Sequence, residues 1–438
     1  MQPLSATSPG PGPALRARLQ AAADFFTRQR HLVAVRDGVV GALPLVLVGS
    51  LFLLAAQPPF ALLQAWVAPY VPTLLVPYRM LGGLIAVYVT FCCAHSLAKS
   101  YGLDPMAAGL VAMAAYLVAA FPSPLLAPSG PVLPPSLPLA RLGAGGIFAG
   151  LLIALCSVEL NRLLVQRNWT LRLPGGAPDV VVRSFMALLP CFATIVLTFA
   201  LVHGAGVDLV HLLERAAQPF LLAAGSLPAT LAVVCVDSAL WLLGVHASAA
   251  LATLRPLWES MLVENMAASA SGLPLPHLAP LPFYSWFVWQ GGSGAALPLA
   301  LLLLRARSAQ LKAVGRVGFL PALCNVNEPL LFGVPVVLNP TLAVPFILAP
   351  LLSTLVAYGA LAAGWVSPPF LEMPWTLPAP LGAFLSTKDW RAVVLQMFNL
   401  ALGLAVYWPF LRRYDRRLLA KETEQASAAR LSSSPQSP

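Results

Sequence analysis

Apolar runs of about 20 residues, enough to cross the hydrocarbon core of a bilayer, recur along the chain. They lie at 39–56, 80–98, 105–125, 143–164, 184–202, 227–245, 283–304, 342–364 and 392–411. In lipid every backbone N–H and C=O must be satisfied within the spanning structure, and runs of this length do so as α-helices. The rest of the composition agrees: 58% of the residues are hydrophobic and 10% charged, whereas a soluble domain carries roughly 25% charged residues. Soluble kinases, dinucleotide-binding enzymes and metal hydrolases are thereby excluded. A net charge of +10 would suggest nucleic acid in a soluble protein, but here the basic residues cluster between apolar runs and no nucleic-acid partner is expected. The 43 prolines predict broken helices, which membranes tolerate where neighbouring protein satisfies the freed backbone. Cys92, Cys93, Cys156, Cys191, Cys235 and Cys324 show no CxxC or Cys/His spacing, so they read as small buried hydrophobes and no metal is expected.

Positive charge gathers before the first run (Arg16, Arg18, Arg28, Arg30, Arg36), after the fourth (Arg162, Arg167, Arg172, Arg183), after Leu304 (Arg305, Arg307, Lys312, Arg316) and at the end (Arg412, Arg413, Arg416, Arg417, Lys421). The positive-inside rule places all four clusters in the cytoplasm. An even number of crossings must separate any two of them, yet only three runs lie between Arg183 and Arg305. A tenth crossing is therefore expected within 246–282, where Arg255, Glu259 and Glu264 make the segment too polar to show in hydropathy. No cleavable signal peptide is visible before the first run, and both termini are expected inside. The segment 320–340, with Asn325, Asn327, Glu328, Pro329, Gly333 and Pro340, is too interrupted for a plain span and predicts a re-entrant hairpin. Irregular backbone at membrane depth lines a cavity, so a substrate site is expected there.

Glu328 is the leading functional candidate, because an ionisable group inside an apolar segment is costly; a purely structural carboxylate is the competing reading. Asn325 and Asn327 add donors and acceptors suited to sugar hydroxyls. His246, after the apolar 227–245 run, reads by pattern as a hydrogen-bonded core residue more readily than a catalytic one. Trp241 and Trp375 could present flat faces to a pyranose, although tryptophan is also common at membrane interfaces. Asp237 reads as a pairing or packing group with a lesser chance of touching substrate. Glu159 is expected to reach Arg162, and the remaining histidines read as interfacial.

The segment Asn325-Val-Asn-Glu-Pro-Leu-Leu-Phe-Gly-Val-Pro-Val-Val-Leu-Asn-Pro340 resembles the signature of the lactose/cellobiose/diacetylchitobiose-type enzyme IIC permeases of the bacterial phosphoenolpyruvate:sugar phosphotransferase system. The likeness extends through Gln29–Gly38, Tyr101-Gly-Leu-Asp-Pro105, Trp241 to His246, Phe283–Gly294 and Tyr407-Trp-Pro-Phe410. It implies an all-α integral membrane homodimer with about ten transmembrane helices and two re-entrant hairpins. Residues 1–27 would be a disordered or amphipathic segment. Residues 28–411 would be the IIC domain, with 28–205 the scaffold and dimerisation half and 206–411 the sugar-binding half, and 412–438 a basic cytoplasmic tail. The implied activity is binding a β-linked disaccharide, moving it across the inner membrane, and presenting its 6-hydroxyl to a phosphocysteine on a separate enzyme IIB, itself charged by IIA and the general phosphotransferase proteins. The chain would then be the membrane component of a sugar phosphotransferase, with no cofactor of its own. By the same resemblance Glu328 and His246 flank the reacting hydroxyl, Glu328 as proton acceptor and His246 as its orienting partner. Asn325, Asn327, Trp241 and Trp375 would line the pocket, and the glycine-rich turn with Gly145 and Gly146 would contribute to it. Relatives usually carry Phe at Cys324 and often a polar side chain at Gly145. A phosphorylation-independent sugar transporter and a sugar sensor on the same fold are the alternatives.

Overall fold

The computed structural model describes residues 29–433, apart from 59–60, 122–138, 170–178, 245–246, 248–250, 335 and 337–339. Its principal helices are α1 (Arg30–Ala56), α2 (Val71–Leu81), α3 (Ile85–Ser100), α4 (Pro105–Ala120), α5 (Ile147–Gln166), α6 (Asp179–Phe199), α7 (Leu209–Ala224), α8 (Leu227–Leu242), α9 (Arg255–Ala270), α10 (Ala296–Leu303), α11 (Ala309–Leu323), α12 (Glu328–Gly333), α13 (Pro340–Ala362), α14 (Ala379–Thr387) and α15 (Trp390–Ser433). Their starts follow local chemistry. Asp104 accepts hydrogen bonds from the Met106 and Ala107 amides with Pro105 at the first helical position, and Asp208, Ser226 and Ser308 cap α7, α8 and α11 in the same way.

Six helices among the described residues are long and apolar enough to cross a membrane, and α7 with α8 makes a seventh, bent by 71°. The bend falls at Gly225 and Ser226, where α7 ends and Ser226 with Pro228 begins a new helix. α4 is apolar throughout but only 16 residues long. A helix does occupy the region expected to hide a crossing: α9 carries Glu259, Ser260 and Asn265 buried within it, and packs against α1, α5 and α7. The run at 283–304, expected as one span, is instead divided. A π-helical turn at Tyr284–Val288 leads into a glycine turn, and α10 returns over only eight residues. Gly291, Gly292 and Gly294 there have φ of 80°, 97° and 77°, which a β-substituted residue adopts only under strain.

The first half packs α1, α2, α3, α4, α5 and α6 into one bundle. At one corner of it lies the predicted Glu159 cluster, which proves larger than Arg162 alone. Glu159 takes hydrogen bonds from Tyr101 Oη (2.5 Å) and Arg162 (3.3 Å) and pairs with His31 (2.9 Å), while the Arg162 guanidinium lies 4.2 Å from the centre of the Tyr101 ring. In the second half α13, α14 and α10 pack along α15. α15 continues without a break past Leu411 into the basic tail. There Asp415 accepts from the Arg307 and Ser308 amides and Glu422 from the Ala309 and Gln310 amides, clamping the start of α11. A further contact joins the two halves: Gln57, at the end of α1, bonds Ser269 at the end of α9 and Lys388 after α14. The N-terminal segment 1–27 lies outside the described residues.

Candidate functional site

The expected hairpin at 320–340 is a helix, a tight turn and a short helix: α11 ends at Leu323, Cys324–Asn327 turn, and α12 begins at Glu328. Asn325 adopts φ of 62°, a left-handed conformation that asparagine tolerates better than most residues. Its side chain is heavily engaged. Nδ2 donates to the carbonyls of Trp375 (2.7 Å) and Leu377 (2.9 Å), and Oδ1 accepts from the Gly291 amide (2.9 Å). Asn327, 3% exposed, donates from Nδ2 to the Ser293 carbonyl at 2.9 Å. It lies so close to Gly292 that a Cβ there would sit 2.7 Å from Asn327 Cγ. Ser293 Oγ in turn donates to Asp237 Oδ1 on α8 at 3.1 Å. The asparagine turn, the glycine turn, α8 and the loop carrying Trp375 are thus cross-linked into one unit.

That unit walls a cavity of about 650 Å³, within the range that takes small-molecule ligands. Glu328, Asn325, Asn327, Trp241, Trp375 and Asp237 all line it. Trp241 is buried while Trp375 is exposed at the mouth. Both amide hydrogens of Asn325 go to backbone carbonyls, and one of those of Asn327 goes to Ser293. Gly145 and Gly146 are not part of this lining. They form a 3₁₀ turn (Ala144–Gly146) before α5, packed on α7 and α9, where a Cβ on Gly146 would overlap the Tyr116 hydroxyl and the Arg141 carbonyl. His246 lies outside the described residues.

Residues that the sequence did not single out complete the wall: Arg36, Val40, Leu43 and Leu47 from one face of α1, then Arg255, Trp258, Ser285, Trp289 and Glu372. Glu372, in Phe370-Leu-Glu-Met-Pro-Trp375, carries the same signal as Glu328, a carboxylate among apolar residues. Arg36 passed as a topology marker because it stands among other basic residues. Among the described residues no group of His, Cys, Asp and Glu could hold a metal ion.

A partly open, largely apolar cavity with tryptophan walls and a few carboxyl and amide groups, framed by interrupted helices within a bundle of helices apolar and long enough to span a bilayer, is the arrangement of a multi-pass membrane protein with a site for a small solute. The family follows from comparison: residues 36–350 match the model of "Phosphotransferase system, EIIC", and the chain belongs to that family. It is 33% identical to the oligo-beta-mannoside-specific EIIC component of Bacillus subtilis (strain 168), covering 92% of this chain and 93% of that one. It is 32% identical to the cellobiose-specific EIIC component of Geobacillus stearothermophilus, covering 93% and 95%. Among solved structures, ChbC, the IIC component of the N,N'-diacetylchitobiose-specific phosphotransferase system, superposes with a TM-score of 0.87 at 30% identity over 94% of this chain and 99% of that chain.

Proposed function

We propose that the protein is the IIC permease for a β-linked disaccharide of the cellobiose, chitobiose or lactose class. It carries the sugar across the bacterial inner membrane and presents the 6-hydroxyl to a phosphocysteine on a separate enzyme IIB. The observation that carries this reading is Glu328 in a tryptophan-walled cavity, on a turn whose backbone Asn325 and Asn327 fasten to three other elements. The working unit is a homodimer with both termini in the cytoplasm, 28–205 as scaffold and 206–411 carrying the sugar.

The chemistry requires little of the permease beyond placement. As C6–O attacks phosphorus, the S–P bond of the phosphocysteine breaks and the thiolate leaves. The hydroxyl proton passes to Glu328, with His246 orienting the group, and no cofactor enters. A held, aligned hydroxyl with a carboxylate beside it lowers the barrier through proximity and general-base assistance. The cross-linked turn serves this by fixing Glu328 relative to the pocket. The test is sugar phosphorylation by membranes containing this chain, phosphoenolpyruvate, the general proteins, IIA and candidate IIB. Phosphorylated cellobiose or chitobiose supports the reading, and failure with every β-disaccharide contradicts it.

A further inference from the structure

One part of the cavity wall is left without a task by the phosphorylation chemistry. Arg255, at the start of α9, pairs with Glu259 one turn later at 3.7 Å, and Glu372 lies within electrostatic reach of both. Arg255 and Glu372 face the cavity, while Glu259 stands behind them at 2% exposure. Among the described residues, Arg255 Nε, both Glu259 carboxylate oxygens and Glu372 Oε2 are buried and have no hydrogen-bond partner. A buried polar atom without a hydrogen bond costs about 1–3 kcal/mol; the 3.7 Å ion pair offsets part of that for Arg255 Nε and Glu259 Oε1, while Glu259 Oε2 and Glu372 Oε2 have no partner to offset it.

The backbone around the cluster is pinned. The Glu372 amide donates to Ser50 Oγ on α1 (3.0 Å), Asn265 of α9 holds the Pro369 carbonyl (3.0 Å), and the Phe370 amide bonds the Ser386 carbonyl (2.9 Å). Three residues beyond Glu372, Trp375 is held by Asn325. The carboxylate and the aromatic face therefore stand on one rigid loop. Two carboxyl groups to one guanidinium leave hydrogen-bonding capacity unspent, and neighbouring hydroxyls on a sugar ring can both donate to and accept from a carboxyl group, with the guanidinium donating to ring or hydroxyl oxygen.

We propose that Arg255 and Glu372, with Glu259 holding Arg255 in place, form the subsite for the second sugar ring, the one not phosphorylated, and so set the preference for disaccharide over monosaccharide. This rests on the disaccharide reading above. Arg255 and Glu372 touch substrate; Glu259 is a positioning residue.

The test compares binding of cellobiose and methyl β-glucoside to the purified full-length protein in nanodiscs, by competition against labelled cellobiose, for wild type and Glu372→Gln. Loss of one hydrogen bond to the second ring predicts that the preference for cellobiose falls about tenfold, the equivalent of about 1.4 kcal/mol. Arg255→Lys, which keeps the charge and removes the guanidinium fork, is expected to move the ratio the same way and stands in should Glu372→Gln not fold. A ratio unchanged in the folded variant, with both sugars weakened equally or neither affected, overturns the subsite. Wild-type protein that binds no β-disaccharide overturns the functional reading itself, so the two failures are told apart.

Discussion

Asn325 donates to the carbonyl of Trp375 at 2.7 Å across 50 residues of sequence, so the turn that aims Glu328 and the loop that offers an aromatic face move as one piece. The second amide hydrogen goes to Leu377, and asparagine is a residue type that combines this donor pair with tolerance of a left-handed turn. Asn325→Asp keeps the shape, removes both donors and leaves two carbonyls unpaired. It is expected to weaken sugar binding about tenfold or more, from losing roughly 1–3 kcal/mol of fixed geometry. Wild-type affinity in the variant, read by calorimetry, would show that the staple has no bearing on the pocket.

The glycine turn makes an independent point about the same unit. At Gly292 a methyl group would strike the Asn327 side chain, and φ of 97° is strained for alanine. Gly292→Ala should therefore displace Asn327 and lower sugar affinity, with a melting temperature reduced by several degrees. Gly359, where a Cβ meets nothing within 4 Å, is the control: Gly359→Ala in the last turn of α13 is expected to be neutral or mildly stabilising.

The proposed role of Glu328 as base is tested by separating chemistry from binding. Glu328→Gln retains size and most hydrogen bonding but cannot take a proton. Phosphorylation is expected to fall by 10² or more, in keeping with loss of a general base, roughly 10²–10⁴, while sugar binding falls only in part. Equal loss of both activities would remove Glu328 from the role of base.

Outside the spans, Arg141 grips Asp208 with two hydrogen bonds, at 3.1 and 2.5 Å. Burial opposes ionisation of Asp208, but hydrogen bonds from Arg141 and the His211 amide, with the Arg141 charge, outweigh it and hold the carboxyl below the usual range. A depressed native value means the pairing stabilises the fold above the unfolded-state value, about 3.9, and that stability is lost as pH falls through the native value. Thermal melts of wild type and Arg141→Met should thus differ by several degrees at pH 7, begin to converge below about pH 4 and meet only once the pH is under the depressed native value. A gap that persists at low pH would show that Arg141 acts through packing alone.

The membrane class was legible in the apolar runs, and the asparagine turn in the polar interruption around Glu328. The split of 283–304 was not, because hydropathy averages over Gly291, Gly292 and Gly294, whose positive φ turns the chain back on itself. The parity of the basic clusters, a long-range constraint that local hydropathy lacks, pointed to a polar element within 246–282, the region where α9 lies. The partners of Asn325 and Asn327 were invisible for another reason. Sequence shows that an amide is available but not that a carbonyl 50 residues away will take it. Arg255 and Glu372, likewise, become a site only when folding brings α9 beside the loop after α13.

The most direct test of the central claim is uptake of labelled cellobiose and chitobiose into proteoliposomes, with and without phosphoenolpyruvate, the general phosphotransferase proteins, IIA and candidate IIB. The account predicts phosphorylated sugar inside the vesicles only when the phosphoryl chain is complete. Free sugar accumulating at the same rate without those proteins would contradict it.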